Sequence, residues 1–229
     1  MKQWRVNILT LFPEMFPGML GQSLSGKALE KGLWSYNAIN IRDFAQDKHK
    51  TVDDTPFGGG AGMVMRADII ESALLSIKDP GRRIYLSPRG RPLTQKLAEE
   101  LKDQHLTLLC GRYEGVDQRV LDAHKFEEVS IGDYVLSGGE PAAMILMDAC
   151  IRLLPGVMGN EETAGEESFS NNMLEYPHYT RPAEWTDSHG KTHAVPDVLT
   201  SGNHAKVKEW RRTESEKLTQ ERRPDLFKK

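Results

Sequence analysis

The sequence predicts an α/β domain built on a largely parallel sheet, followed by a small, mostly helical C-terminal domain. Short strand-like apolar runs alternate with amphipathic helical segments over residues 4–156, which is the element order of a parallel sheet. The segment 140–154 is apolar around most of a helix, so burial in the core or against another subunit is expected. After Gly156 the chain turns polar and acidic before a polar helical segment.

The strands are predicted from alternating or short apolar runs, and the helices from apolar residues at helical spacing. The predicted strands are 4–12, 36–44, 83–87, 105–110 and 126–131. The predicted helices are two Pro-punctuated pieces before Lys31, then 67–78, 92–103, 116–124, 140–154 and 205–223. Thr94 is placed as the N-cap of the helix at 92–103.

The change of character after Gly156 predicts two domains joined by a linker. We expect a first domain at 1–157, a flexible linker at 158–172 and a helical domain at 173–229. The last domain begins with a segment rich in proline and aromatic residues, and a polar helix is predicted near its end.

The bulk composition is that of a globular protein and excludes several classes. The chain has 229 residues, 38% of them hydrophobic and 28% charged, which argues against collagen-like or wholly disordered proteins. No apolar run reaches the roughly 18 residues of a membrane span. The short N-terminal run alternates like a strand and has no small-residue cleavage site, so no signal peptide is predicted. Cys110 and Cys150 lie in apolar runs and are expected to be buried, reduced thiols of a cytoplasmic protein.

The net charge of −3 is unevenly distributed between the C-terminal 25 residues and the rest of the chain. Residues 205–229 carry nine Lys or Arg against five Asp or Glu, so the remainder is acidic. Such a basic tail is either a solvated helix or a surface that contacts phosphates.

Three Gly-rich loops each follow a predicted strand, at 85–90 (YLSPRG), 110–119 (CGRYEGVDQR) and 130–140 (SIGDYVLSGGE). The carboxyl ends of parallel strands meet at one edge of a sheet, where ligands bind. Because the loops carry few Lys or Arg residues, backbone recognition of an adenine suits them better than binding of a triphosphate.

Other motifs give weaker signals. GQSLSGKA (21–28) has P-loop spacing, but Ala28 replaces the Ser or Thr that would hold magnesium. His189 and His193 are four residues apart but lack a third ligand, so no metal site is predicted. The segment TPFGGGAGM after Asp53 is either a flexible surface loop or a loop that closes over a flat ligand.

Taken together, the motifs resemble the bacterial tRNA (guanine-N1)-methyltransferase family of the SPOUT superfamily. The motifs, in chain order, are TVDDTPFGGGAGM, YLSPRG, CGRYEGVDQR, IGDYVLSGGE, RLLPGVMGN, ESF with PHYTRP, and SGNH with WRR. These motifs cover nearly the whole chain, in the order and at the spacing of the family. Together they indicate the family far more specifically than any single motif does.

The resemblance implies a SPOUT fold with a deep trefoil knot at about 85–140, which general topology rules alone would disfavour. It also implies a homodimer with active sites shared between subunits, in which residues 1–157 form the catalytic domain that binds the methyl donor and residues 173–229 form the tRNA-binding domain. The implied substrate is tRNA with guanine at position 37, 3′ of the anticodon and preceded by another guanine. The implied methyl donor is S-adenosylmethionine, and Mg²⁺ is a possible further requirement.

The resemblance also implies roles for individual residues. The family uses an Arg beside guanine O6, which matches Arg152, and an Asp base in the pattern EDSF. This chain reads EESF, so Glu167 stands at the base position and Glu166 is the competing candidate.

The resemblance extends to the donor and the tRNA. The implied donor contacts are Tyr85, Leu86, Ser87, Gly111, Tyr113, Glu114, Gly115, Ile131, Gly132, Tyr134, Val135, Leu136, Gly138 and Gly139. The candidate tRNA contacts are Asp53, Lys206, Lys208, Arg211 and Arg212.

Two alternatives stay open beside the base methyltransferase. One is a SPOUT protein that binds RNA or nucleotide but has weakened catalysis, which the Glu at position 167 favours. The other is a SPOUT enzyme that methylates a ribose 2′-OH.

Overall fold

A computed structural model describes residues 3–158, 168–169 and 171–228 of the chain. The described residues form two compact units that divide between residues 159 and 160. Most of the predicted linker at 158–172 lies outside the described residues. The division into a catalytic and a tRNA-binding domain stays a prediction.

The first unit is built on a five-stranded sheet. Its strands are β1 (Trp4–Thr10), β2 (Trp34–Asn40), β5 (Arg82–Pro92), β6 (Leu106–Cys110) and β7 (Glu127–Ser130). They lie in the order β2-β1-β6-β5-β7, and every neighbouring pair is parallel. A separate two-stranded antiparallel pair is formed by β3 (Asp53–Asp54) and β4 (Val64–Met65). The predicted α/β class with a parallel sheet is confirmed.

The helices cover both faces of this sheet. They are α1 (Ser23–Glu30), α2 (Ala67–Leu75), α3 (Gln95–Leu101), α4 (Gln118–Ala123) and α5 (Glu140–Ile151). One apolar core contains side chains of α1, α3 and α5, and the other contains those of α2 and α4. Within β6 the alternation is visible, because Leu106 and Leu108 enter the first core and Leu109 the second. Most of the apolar surface of α5 is buried within this chain.

Several element boundaries differ from the predicted ones. The first strand ends at Thr10 because Pro13 opens a short 3₁₀ turn at Pro13–Met15. The two helical pieces predicted before Lys31 are two 3₁₀ turns followed by α1. The strand predicted at 83–87 continues to Pro92, so α3 begins only at Gln95. The predicted N-cap is confirmed, since Thr94 Oγ1 accepts a 3.3 Å hydrogen bond from the Leu97 N–H.

The strand β5 is irregular along its pairing with β7. Leu86 and Arg91 both pair with Val129, so the register shifts between these two residues and β5 bulges there. This bulge carries Ser87 and Pro88 to the edge of the sheet. The deep knot implied by the resemblance is not tested by strand order or pairing and stays a prediction.

The second unit contains a small hairpin of β8 (Glu184–Thr186) and β9 (Thr192–Ala194), then α6 (Asp197–Thr200) and α7 (His204–Arg222). The hairpin is not among the predicted elements. Asn203 caps α7 by accepting a hydrogen bond from the Lys206 N–H. In the described part of the chain, no helix has the length and apolar character needed to cross a membrane.

Candidate active site

The carboxyl ends of β5, β6 and β7 open into one cavity of about 240 Å³. Every predicted donor contact lines it: Tyr85, Leu86, Ser87, Gly111, Tyr113, Glu114, Gly115, Ile131, Gly132, Tyr134, Val135, Leu136, Gly138 and Gly139. The remaining lining residues are Pro88, Arg112, Val129, Ser130, Ser137 and Ala142. The expected convergence of the three loops is confirmed, while donor binding by these residues stays a prediction.

The first loop contributes Tyr85 and Ser87 to the lining of the cavity. Both are buried, and burial raises the pKa of the Tyr85 phenol, so this group stays neutral at physiological pH. The Tyr85 ring packs against Gly111, where an added β-carbon would lie 2.9 Å from the ring. Glycine at 111 is therefore required for this close approach.

The second loop is held in an unusual backbone conformation. Tyr113 has φ +58°, a region that residues other than glycine seldom occupy. The Glu114 N–H donates to the Met63 carbonyl at 2.9 Å, and the Gly115 carbonyl accepts from the Met65 N–H at 2.9 Å. The short strand β4 thus fixes this loop and presents the exposed Tyr113 ring at the mouth of the cavity.

The third loop contributes apolar side chains and glycine backbone to the cavity. Its start is fixed by Ser130, whose hydroxyl donates to the Gly132 carbonyl at 3.0 Å. Tyr134 and Leu136 are partly exposed at the rim, and Val135 is largely exposed. Apolar side chains in this position can cover a flat ring.

The residues that line the cavity suit a ligand with an uncharged aromatic ring and one localised positive charge. Among the described residues that line the cavity, Arg112 and Glu114 are the charged ones, and Arg112 faces Glu140, with 2.9 Å between Nη2 and Oε2. Backbone amides and carbonyls can read the edge of an adenine, and the Glu114 carboxylate can face a positive charge. The residues therefore fit S-adenosylmethionine, and this described lining lacks the cations that a triphosphate needs.

Comparison with known proteins identifies the family. The family model described as tRNA (Guanine-1)-methyltransferase TrmD matches residues 4–229. The chain belongs to this family. A TrmD relative from Rhodospirillum rubrum, named tRNA (guanine-N(1)-)-methyltransferase, is 62% identical and covers 97% of this chain and 92% of its own length. Relatives of the same name from Rhizobium etli and Mesorhizobium japonicum are 57% and 59% identical, each covering 96% of its own length and at least 98% of this chain.

The cavity at the carboxyl ends of β5, β6 and β7 is called the donor cavity, after the predicted donor contacts that line it. Arg152, the predicted O6 partner of the TrmD chemistry, does not line this cavity. It follows the last residue of α5 and borders a separate groove with Ser23, Asp148 and Val157. Ala142 lines the donor cavity near the start of the same helix. The two positions are ten residues apart, which corresponds to a rise of about 15 Å along the helix axis.

The carboxylates predicted as the base, Glu167 and the competing Glu166, lie outside the described residues. Their roles stay predictions.

The candidate tRNA contacts fall in both units. Asp53 begins the short strand β3 in the first unit. The four basic candidates lie on α7, and all but Lys206 line a groove of about 500 Å³. In that groove the Arg211 guanidinium lies over the Tyr176 ring at 4.8 Å. Arg212 also faces Glu216, with 3.7 Å between Nε and Oε1.

Within the described residues, no three His, Cys, Asp or Glu side chains are grouped to hold a metal ion. The possible Mg²⁺ requirement therefore has no assigned ligands and stays a prediction.

Sequence reasoning missed the ion pair between Arg112 and Glu140. Both residues lie inside quoted motifs, but they are 28 positions apart and only the fold brings them together. The one feature of the sequence that could have pointed to this ion pair was the carboxylate of Glu140, at the start of an almost wholly apolar helix.

Proposed function

We propose that this protein methylates N1 of guanine at position 37 of tRNA, with S-adenosylmethionine as methyl donor. The reaction follows from membership in the tRNA (guanine-1)-methyltransferase family over residues 4–229. The donor cavity, lined by backbone and apolar groups from three strand ends, is the observation that carries the proposal. The position in tRNA and the residue roles rest on the resemblance.

Guanine N1 carries a proton and is a poor nucleophile at neutral pH. When bound, S-adenosylmethionine supplies an electrophilic methyl group. A carboxylate at Glu167 removes the N1 proton, and the Arg152 guanidinium stabilises the negative charge that builds on O6. The residues around the cavity hold the donor in line with N1, and this positioning is a large part of the rate enhancement.

Glu167 stands where the family pattern has Asp. The longer side chain keeps the carboxylate, so activity is retained if the backbone absorbs the extra methylene. Glu166 is the alternative base, and exchanging each for Gln distinguishes the two.

The position of Arg152 supports a homodimer with shared active sites. Arg152 borders a groove separate from the donor cavity of its own chain and lies about 15 Å along α5 from Ala142, which lines that cavity. A second copy that supplies Arg152 and Glu167 would complete the site. We propose this arrangement for an enzyme that acts on tRNA in the cytoplasm.

Basic residues of α7 support tRNA binding. Lys206, Lys208, Arg211 and Arg212 would contact phosphates, which fixes the tRNA without reading its sequence. The target guanine then leaves its stack to reach the methyl group.

The test is transfer of a labelled methyl group from S-adenosylmethionine to tRNA transcripts with guanine or adenine at position 37. We expect transfer to the guanine transcript only. A ribose 2′-O-methyltransferase would label both transcripts, and a binding protein without catalysis would label neither. Repeating the assay with EDTA tests the possible Mg²⁺ requirement.

Variants then test the residue roles. We expect Glu167→Gln and Arg152→Ala to lose turnover while donor binding survives. Loss of turnover in Glu166→Gln, with Glu167→Gln near wild type, would reassign the base.

A mixing experiment tests the shared site. Mixed dimers of Arg152→Ala with a cavity variant such as Gly139→Ala should regain part of the activity, because one composite site is then intact. A monomeric wild type, or no regain in verified mixed dimers, would refute the shared arrangement.

A further inference from the structure

A fully buried carboxylate lies directly behind the donor cavity. Glu140 is the first residue of α5 and its side chain has no exposed surface. Its Oε1 accepts a 2.7 Å hydrogen bond from the Thr10 hydroxyl, at the end of β1. The same Thr10 oxygen accepts from the Phe12 N–H at 2.9 Å. Glu140 therefore connects the end of β1 to the start of α5.

Arg112 approaches Glu140 from the end of β6. Its Nη2 lies 2.9 Å from Glu140 Oε2, and its guanidinium carbon lies 4.4 Å from the centre of the Phe12 ring. Its Nη1 donates to the Ser137 carbonyl at 3.3 Å. A side chain at Gly138 would collide with the Arg112 guanidinium. Arg112 thus contacts both Glu140 and the backbone of the third loop.

Such a pair contributes little net stability by itself. Removing two charges from water costs much of the energy that their attraction returns, and neutral replacements of similar size are often tolerated. What the pair adds is a fixed geometry, because Glu140, together with the Phe12 ring, holds the guanidinium where its Nη1 donates to the Ser137 carbonyl.

We propose that Arg112 and Glu140 are a positioning pair for the donor cavity. Neither is a catalytic residue. Together they fix the backbone of Ser137–Gly139, whose glycines line the cavity, so that the third loop is ready for the methyl donor before it binds. This inference rests on the proposed function in one respect only, namely that the donor is S-adenosylmethionine.

The test separates positioning from stability. The double variant Arg112→Met and Glu140→Gln removes both charges and keeps the side-chain lengths, and the amide oxygen introduced by Glu140→Gln can still accept from Thr10. We expect its melting temperature to stay near that of wild type. We expect its Kd and KM for S-adenosylmethionine to rise about tenfold or more, because the third loop loses the charged hydrogen bond that Arg112 Nη1 donates to the Ser137 carbonyl. The KM for tRNA and kcat at saturating donor should change little.

Donor binding by the variant Arg112→Lys is a second measurement, in which the positive charge opposite Glu140 is kept. Lysine keeps a cation opposite Glu140, but one ammonium cannot also lie flat over Phe12 and reach Ser137. We expect weakened donor binding in this variant as well, with the fold intact by circular dichroism.

The matched control is the pair His124 and Glu71. Its Nε2–Oε1 distance is 2.7 Å, and the His124 side chain is 19% exposed, as is that of Arg112, whereas Glu71 is 49% exposed and Glu140 is fully buried. Neither residue lines the donor cavity. The double variant His124→Gln and Glu71→Gln should bind the donor like wild type.

Wild-type donor affinity in both Arg112→Lys and the double variant would overturn the positioning role. A wild-type protein that binds no S-adenosylmethionine would instead overturn the proposed function, so the two failures are distinguishable.

Discussion

The Gly139 N–H donates a 2.9 Å hydrogen bond to the Gly111 carbonyl and thereby ties the third cavity loop to the end of β6. The approach is so close that a β-carbon on Gly139 would lie 2.7 Å from the Cys110 α-carbon. Real β-carbons do not approach a backbone atom this closely, so only glycine allows the two segments to meet.

Gly139→Ala should therefore damage the donor cavity. The methyl group forces the third loop away from β6, and such overpacking costs about 1–3 kcal/mol of the free energy of unfolding. We expect a lower urea midpoint and loss of S-adenosylmethionine binding, measured by calorimetric titration. Gly21→Ala is the control, because its β-carbon would meet only a Pro17 ring carbon at 3.1 Å, away from the cavity. Unchanged donor affinity in Gly139→Ala would contradict the prediction.

Both thiols should be unreactive in the folded protein. Cys110 and Cys150 are buried and free, as expected from their apolar surroundings. Burial, and then the nearby Glu140 carboxylate, raise the pKa of Cys110 well above its usual value, and burial raises the pKa of Cys150 to about 12. At pH 8 neither is a thiolate, and only the thiolate reacts. We expect Ellman's reagent to label no thiol in the native protein and both in guanidinium chloride, and rapid labelling of the native protein would refute this.

The fold class and the meeting of the three loops could be predicted because both follow from local patterns. Short apolar runs such as 105–110 indicate strands that are buried on both faces. Because these strands alternate with helices along the chain, the helices are expected to connect parallel strands. Glycines placed after such strands then converge at one edge without any knowledge of long-range contacts.

Contacts between distant segments could not be predicted in the same way. The contact between Thr10 and Glu140 spans 130 positions, and nothing local to either residue encodes it. The bulge in β5 between Leu86 and Arg91 was missed for a related reason, since it is defined only by pairing with Val129. Arg152 was predicted from a motif, but only the length of α5 shows how far it lies from the cavity.

Thr94→Ala should weaken α3. Thr94 Oγ1 accepts the Leu97 N–H, one of the donors that the first turn leaves without an intrahelical partner. Loss of this cap costs about 1 kcal/mol of unfolding free energy, measured by urea denaturation. Thr94→Ser keeps the hydroxyl and is the matched control. Equal midpoints for the Ala and Ser variants would show that the cap does not contribute.

Glu127 should stabilise the first unit in a pH-dependent way. Its carboxylate accepts hydrogen bonds from Arg82 Nε and Nη2 at 2.6 and 2.8 Å, and these bonds lower its pKa in the folded protein. A carboxyl group with a lowered folded pKa stabilises the fold above its unfolded pKa. That contribution disappears as the pH falls through the folded value.

Glu127→Gln should therefore cost stability at pH 7 and progressively less below about pH 5. The loss at pH 7 should be no more than about 1 kcal/mol, because the partly exposed Glu127 is screened by solvent. Urea denaturation of both proteins at several pH values between about 7 and 3 measures the difference. Glu99→Gln, on the exposed face of α3, should show no such trend. A Glu127→Gln deficit that stayed constant over the whole acid range would mean that packing, and not the charge facing Arg82, accounts for the loss.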